Sequence, residues 1–138
     1  MTIAVRYYSR GGNTKKIAEA IAEAVGVEAK TVSEPLTGDV DILFLGSAPY
    51  AFDVDDEVKK FISSINVSVG KVVNFSTSAA VKSTRKYVEK VLSEKNIPMA
   101  EEEFSCRGAF MMLHKGQPNE SDQRAATDFA RKIISQGE

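Results

Sequence analysis

The chain joins an apolar run, residues 3–8, to a helix-patterned run, residues 15–25, through Ser9, Arg10, Gly11, Gly12, Asn13 and Thr14. Two consecutive glycines let the backbone turn without a Cβ clash. A helix starting there points its first amides, and the positive end of its dipole, out of the bend. Strand, turn and helix so joined form one unit of an α/β sheet and leave an anion site at the turn. Ser9 and Thr14 add hydroxyl donors, Asn13 is a good helix cap, and Arg10 adds positive charge. The turn has neither the lysine of the triphosphate-binding loop nor the glycine spacing of the dinucleotide fingerprint, so it suits a single terminal phosphate. The same residues also suit a plain capped turn between strand and helix.

The alternation continues along the chain. Residues 28–32 read as a weak edge strand, and residues 42–46 as a central strand, because a strand buried on both faces is apolar throughout. Further strands are expected at residues 71–75 and within 102–113, where Arg107 and Gly108 interrupt the pattern with a bulge or turn. Helical stripes are carried by Ile17, Ala18, Ile21, Ala22 and Val25, then by Val58, Phe61, Ile62 and Ile65, then by Tyr87, Val88, Val91 and Leu92, which end near Asn96 before Pro98. A last helix is expected over residues 121–135, capped by Ser121 and burying Ala125, Ala126, Phe129, Ala130, Ile133 and Ile134. Residues 33–40 are too few for a full crossover helix and predict a turn. Strand and helix units in this order build a mainly parallel sheet covered on both faces.

At 138 residues the chain is expected to form a single domain, residues 1–138, with one site. Its 18 basic and 19 acidic residues announce neither a nucleic-acid surface nor an acidic one. The single cysteine excludes an internal disulfide framework, and no leader or membrane-length apolar run is visible, so a cytoplasmic protein with no membrane partner is expected. Carboxylate pairs, Ser/His/Asp sets and metal-ligand spacings are absent from the sequence, so no catalytic residue is assigned. Cys106 reads as a small buried residue, His114 as a surface residue, and Met111 and Met112 as packing. Asp53, Asp55, Asp56 and Glu57 read as a helix start, where acids complement the dipole.

In an open parallel sheet, ligands bind outside the carboxyl ends of the strands, where the strand order reverses. Three segments meet there. The first is the glycine turn. The second is Ser47, Ala48, Pro49, Tyr50, Ala51, Phe52 and Asp53, in which Tyr50 can stack on a flat ring and Phe52 can either stack or close the core. The third is Ser76, Thr77, Ser78, Ala79 and Ala80, small and polar, read as a loop after the fourth strand.

At these segments the chain resembles the flavodoxin family, over nearly its whole length. Tyr8-Ser9-Arg10-Gly11-Gly12-Asn13-Thr14 resembles the family's hydroxyl-rich loop for the ribityl phosphate, which ends Thr-Gly-Asn-Thr. Gly46-Ser47-Ala48-Pro49-Tyr50 is similar to its second flavin loop, Phe75-Ser76-Thr77 to the start of its third, and Gly116-Gln117-Pro118-Asn119 to the approach to its last helix. The resemblance implies a flavodoxin-like three-layer α/β sandwich with a five-stranded parallel sheet in the order 2-1-3-4-5, and FMN as cofactor. It implies FMN-binding positions at Ser9, Arg10, Gly11, Gly12, Asn13, Thr14, Ala48, Pro49, Tyr50, Ala51, Phe52, Ser76, Thr77 and Ser78. Three departures stand beside these matches. Gly11 replaces a usual hydroxyl, residues 76–83 hold no aromatic, and the second loop has no glycine whose peptide could reorient toward a reduced ring nitrogen. The two one-electron steps of a bound flavin are therefore expected to lie close together. The implied function is electron transfer between redox partner proteins, by a monomer or weak homodimer. The alternatives are an FMN-dependent NAD(P)H or quinone reductase, and a flavin-free binding or scaffold protein on the same fold.

Overall fold

The computed structural model describes residues 1–50, 53–78, 83–107 and 118–136. Its elements are β1 (Ile3–Tyr7), α1 (Asn13–Val25), β2 (Ala29–Thr31), β3 (Val40–Ser47), α2 (Asp56–Ser64), β4 (Val69–Ser78), α3 (Arg85–Glu94), β5 (Met99–Arg107) and α4 (Glu120–Gln136). The strands pair in parallel in the order β2-β1-β3-β4-β5. The expected α/β sandwich and its strand order are both found.

Side chains alternating along the strands supply two separate cores. On one face, Val5, Ile42, Phe44, Val73 and Phe75 pack against Ile17 and Ile21 of α1 and Ala126, Ala130 and Ile133 of α4. On the other, Leu43, Leu45 and Val72 pack against Val58, Phe61 and Ile62 of α2 and Val88 and Leu92 of α3. β3 is buried at every position but Asp41, which is why its sequence shows no period-two pattern. β2 is short and lies at the sheet edge, as its weak pattern implies.

No helix stands between β2 and β3, and the expected turn takes its place. Val32 and Leu36 fill the second core from this connection. Buried Arg6 clasps it, donating from Nε to the Glu34 carbonyl at 2.9 Å and from Nη2 to the Pro35 carbonyl at 3.3 Å. A charged side chain on β1 thus satisfies carbonyls of a connection that makes no ladder of its own.

Several boundaries differ from the sequence pattern. β4 continues through Ser78, because Ser76 still pairs with Ser47 of β3, and Thr77 and Ser78 still pair with Cys106 and Arg107 of β5. Ser76, Thr77 and Ser78 are therefore strand residues and not a loop; ladder pairing, on both sides at Ser76 and with β5 at Thr77 and Ser78, overrides the local loop pattern. β5 spans Met99–Arg107 and so starts before the expected residues 102–113. α1 is capped by Gly12, with Asn13 its first helical residue. α4 is entered through Asn119 and Asp122, each amide donating to the other's carboxamide or carboxylate oxygen, so Ser121 is not its cap. Ala125 is exposed, and Phe129 and Ile134 are half-buried. Ala51, Phe52, Ala79, Ala80, Gly108, Met111, Met112, His114, Gly116 and Gln117 lie outside the described residues. Among the described residues, no helix is long and apolar enough to cross a membrane.

Candidate functional site

β1 and β3 are neighbours whose connections leave to opposite faces, and the carboxyl ends of β1, β3 and β4 bring the three candidate segments together. The first turn is held by its own residues. Ser9 Oγ accepts from the Gly12 amide at 3.0 Å, and Gly12 adopts φ 91°, a conformation that a side chain would strain. The first intrahelical bond of α1 runs from the Lys16 amide to the Gly12 carbonyl. The amides of Thr14 and Lys15 therefore have no intrahelical acceptor and open toward the turn. A Cβ built at Gly11 meets nothing within 4 Å, so the position is roomy as well as lacking a hydroxyl.

Thr14 is buried, and its Oγ1 shares a hydrogen bond of 2.9 Å with Thr77 Oγ1. This pair ties the helix start to the end of β4, so the first and third segments form one rigid edge. Arg10 is exposed and turned toward the second segment: its guanidinium pairs with the Asp55 carboxylate and stacks 3.6 Å from the centroid of the Tyr50 ring. Tyr50 is half exposed, at 52 %, an unusual setting for so large an apolar surface. Ala48 and Pro49 are half-buried beneath it. Tyr50 and Asp53 exchange backbone hydrogen bonds of 2.6 and 2.9 Å.

The charges around that loop are compensated. Asp55 caps α2 by accepting from the Glu57 amide at 3.0 Å; that bond first, and then the Arg10 guanidinium, hold its carboxyl below the usual range. Asp53 accepts from Lys59 Nζ at 2.5 Å and is lowered chiefly by that bond. Both carboxylates are depressed, so the stability they contribute is present above their ordinary value of 3.8 and is lost as pH falls through the lower folded values.

A second polar group lies behind the edge, on the face covered by α2 and α3. Thr84 Oγ1 accepts from Ser47 Oγ at 2.9 Å and from Asn74 Nδ2 at 3.2 Å. Asn74 Oδ1 and Ser76 Oγ are buried and have no hydrogen-bond partner among the described residues. Sequence reading placed Ser76 at the site but missed Asn74 and Thr84. The available signal was an asparagine inside the apolar run Val72-Val73-Asn74-Phe75, where a polar side chain is costly unless it is used. Beyond it, Glu103 accepts from Ser83 Oγ and lies 4.0 Å from Arg85. Cys106 is half-buried, and burial, assisted by the charge of Asp122, pushes its thiol up to about 12, so it is inert as a nucleophile.

A family model described as a flavodoxin domain matches residues 4–115. The chain belongs to the flavodoxin family. Among curated proteins, an uncharacterized protein of Methanocaldococcus jannaschii is 29% identical over 136 residues, covering 88% of this chain and 90% of that one. Among solved structures, a flavodoxin from the domain Archaea superposes with a TM-score of 0.79 at 15% identity, covering 99% of this chain and 98% of that chain. Oxidised flavodoxin 2 from Bacillus cereus superposes at 0.73 with 20% identity, covering 99% of each. At such identities these two likenesses speak for the fold. The flavodoxin fold here carries its glycine turn, its tyrosine loop and its buried polar group at one sheet edge.

Proposed function

We propose that this flavodoxin-family chain binds FMN at the carboxyl edge of β1, β3 and β4 and transfers electrons between protein partners. The observation that carries the reading is the conjunction of an anion-ready turn with buried polar atoms that have no partner among the described residues at the same edge. Gly12 in its left-handed conformation, the Ser9 hydroxyl and the α1 amides suit a phosphate monoester. Tyr50 offers an exposed ring for stacking beside them. Ser76 Oγ can donate or accept, and Asn74 Oδ1 can accept, so the edge retains hydrogen-bonding capacity that a ring bearing N–H and C=O groups would use. The donor set therefore fits the cofactor that the family implies.

Bound FMN supplies the redox chemistry, and the chain supplies position and electrostatics. The turn orients the phosphate, Tyr50 shields one ring face, and the Thr14–Thr77 bond keeps the two walls of the edge at a fixed separation. A carrier passing electrons to redox partner proteins needs only this positioning from the chain.

Titrating FMN, FAD and riboflavin into apoprotein tests the reading. FMN is expected to bind at least about tenfold more tightly than riboflavin, the factor that one or two charge-assisted hydrogen bonds to phosphate supply. Equal affinities would show that the turn does not grip phosphate. Rapid bleaching of the bound flavin by NADPH alone, without oxygen, would replace the carrier with a reductase. Failure of all three flavins to bind would leave a scaffold on the flavodoxin fold.

A further inference from the structure

Arg10 sits in the phosphate turn by sequence, yet its guanidinium is committed elsewhere. It pairs with Asp55 at the start of α2 and lies 3.6 Å above the centre of the Tyr50 ring. Asp55 divides its oxygens between two tasks, Oδ1 accepting the Glu57 amide and Oδ2 accepting Arg10. The guanidinium thus bridges the first segment to the second residue past Asp53, and it covers a face of the Tyr50 ring. A planar cation over an aromatic ring occupies the position that a stacked ligand ring would take.

We infer that Asp55 is a specificity-determining residue of this site: it competes with the ligand's phosphate for Arg10, and by holding Arg10 on Tyr50 it closes the site to flat molecules that carry no anionic group. The inference rests on the FMN reading. A phosphate monoester arriving at the Ser9 and Gly12 turn draws the guanidinium off Asp55, because a doubly charged phosphate offers a bidentate partner of higher charge. The same movement uncovers Tyr50 for the ring. A ligand lacking phosphate must displace Arg10 from both partners and gives it nothing in return. Discrimination therefore arises twice from one side chain, once in the bond gained and once in the face released.

Asp55→Asn separates the two tasks of this residue, since asparagine caps a helix as well as aspartate but cannot pair with a guanidinium. In that variant FMN binding is expected to tighten about threefold to fivefold, the equilibrium worth of one exposed ion pair. In the Arg10→Ala background, Asp55→Asn should change FMN affinity less than about 1.5-fold, because the competition has lost its object. A ring-current shift on the Arg10 side-chain protons of the unliganded protein, absent in Tyr50→Leu, reports the stack directly. Thermal melts of all variants confirm folding.

An equal gain from Asp55→Asn with and without Arg10 would mean simple repulsion of phosphate and would overturn the inference while leaving the FMN reading intact. No gain from Asp55→Asn in the protein that retains Arg10 overturns it as well. If no flavin binds any of the proteins, the FMN reading fails by itself. Orthophosphate followed at the Gly11 and Gly12 amides then decides the competition: tighter binding in Asp55→Asn than in the parent, only when Arg10 is present, upholds it, and identical binding overturns it.

Discussion

The two faces of the sheet differ most at its carboxyl edge. Toward α1 and α4, the last side chains are Tyr7 and Phe75, with Phe75 lying against Gly46, and the one polar pair there, Thr14 and Thr77, satisfies itself. Toward α2 and α3, the same levels of the sheet carry Ser47 and Asn74, gathered by Thr84, and Ser76, with Asn74 Oδ1 and Ser76 Oγ left without a partner among the described residues. One face is finished as a core, and the other is left with unused hydrogen-bonding capacity. Interiors rarely leave such atoms unpaired, since each costs about 1–3 kcal/mol. The difference teaches that the α2 and α3 side, with an apolar core of its own, gives up some stability at its carboxyl edge, where the α1 and α4 side does not.

The largest effect should come from the finished face. Phe75→Ala is expected to destabilise by about 3–5 kcal/mol, because Phe75 is fully buried and fills the hollow that Gly46 leaves for its ring. Denaturant melts measure it. A loss under about 1 kcal/mol would mean that this face closes around the cavity and is not the rigid half of the pair. Next comes Thr84→Val, which conserves volume but removes the acceptor of both Ser47 and Asn74. Two buried donors are orphaned, so a loss of about 2–4 kcal/mol is expected in the apoprotein. An unchanged melt would show that water already satisfies that group, and the contrast between the faces would lose its meaning.

The sequence made the fold legible and the polar group of the second face nearly invisible, for one physical reason. Apolar spacing reports burial, so Ile17 with Ile21, Val58 with Ile62, and the unbroken run from Ile42 to Leu45 located helices, strands and the central strand. Strand ends are set by pairing with neighbours, which leaves no local mark, and Ser76, Thr77 and Ser78 read as a loop although β5 holds all three in the ladder and β3 holds Ser76. The glycine turn was legible because a positive φ restricts residue choice at Gly12. Where Arg10 points was not, because Asp55 is 45 residues away and the sequence shows it only as a cap.

A smaller effect should come from the joint between the start of α1 and the end of β4. Thr14→Val leaves the Thr77 hydroxyl buried without its partner and is expected to cost about 1–2 kcal/mol, while adding Thr77→Val should recover most of that loss, since an apolar pair of the same shape leaves nothing unsatisfied. The cycle also asks whether Thr14 acts on the ligand. If the double variant regains stability but binds FMN as weakly as the single one, the Thr14 hydroxyl serves both neighbours. If it regains both, Thr14 acts only by holding the helix start against β4.

The smallest effect on stability, and the sharpest test of the comparison, belongs to Ser76→Ala. Ser76 Oγ is buried with no partner among the described residues, so removing it forfeits no hydrogen bond and leaves a void of one oxygen atom. The melt of the apoprotein should move by less than about 0.5 kcal/mol and could move upward, since a desolvated hydroxyl is lost. Flavin binding should respond in the opposite sense. A hydroxyl that finds its partner only in the complex contributes about 0.5–1.5 kcal/mol there, so FMN affinity should fall roughly threefold to tenfold. The two measurements on one variant separate the possible roles of the polar face. Destabilisation together with unchanged affinity would mean that Ser76 is already paired within the fold, and that this face is a core of polar composition. Unchanged stability with weakened FMN binding would mean that the sheet keeps its α2 and α3 side unfinished for the ligand.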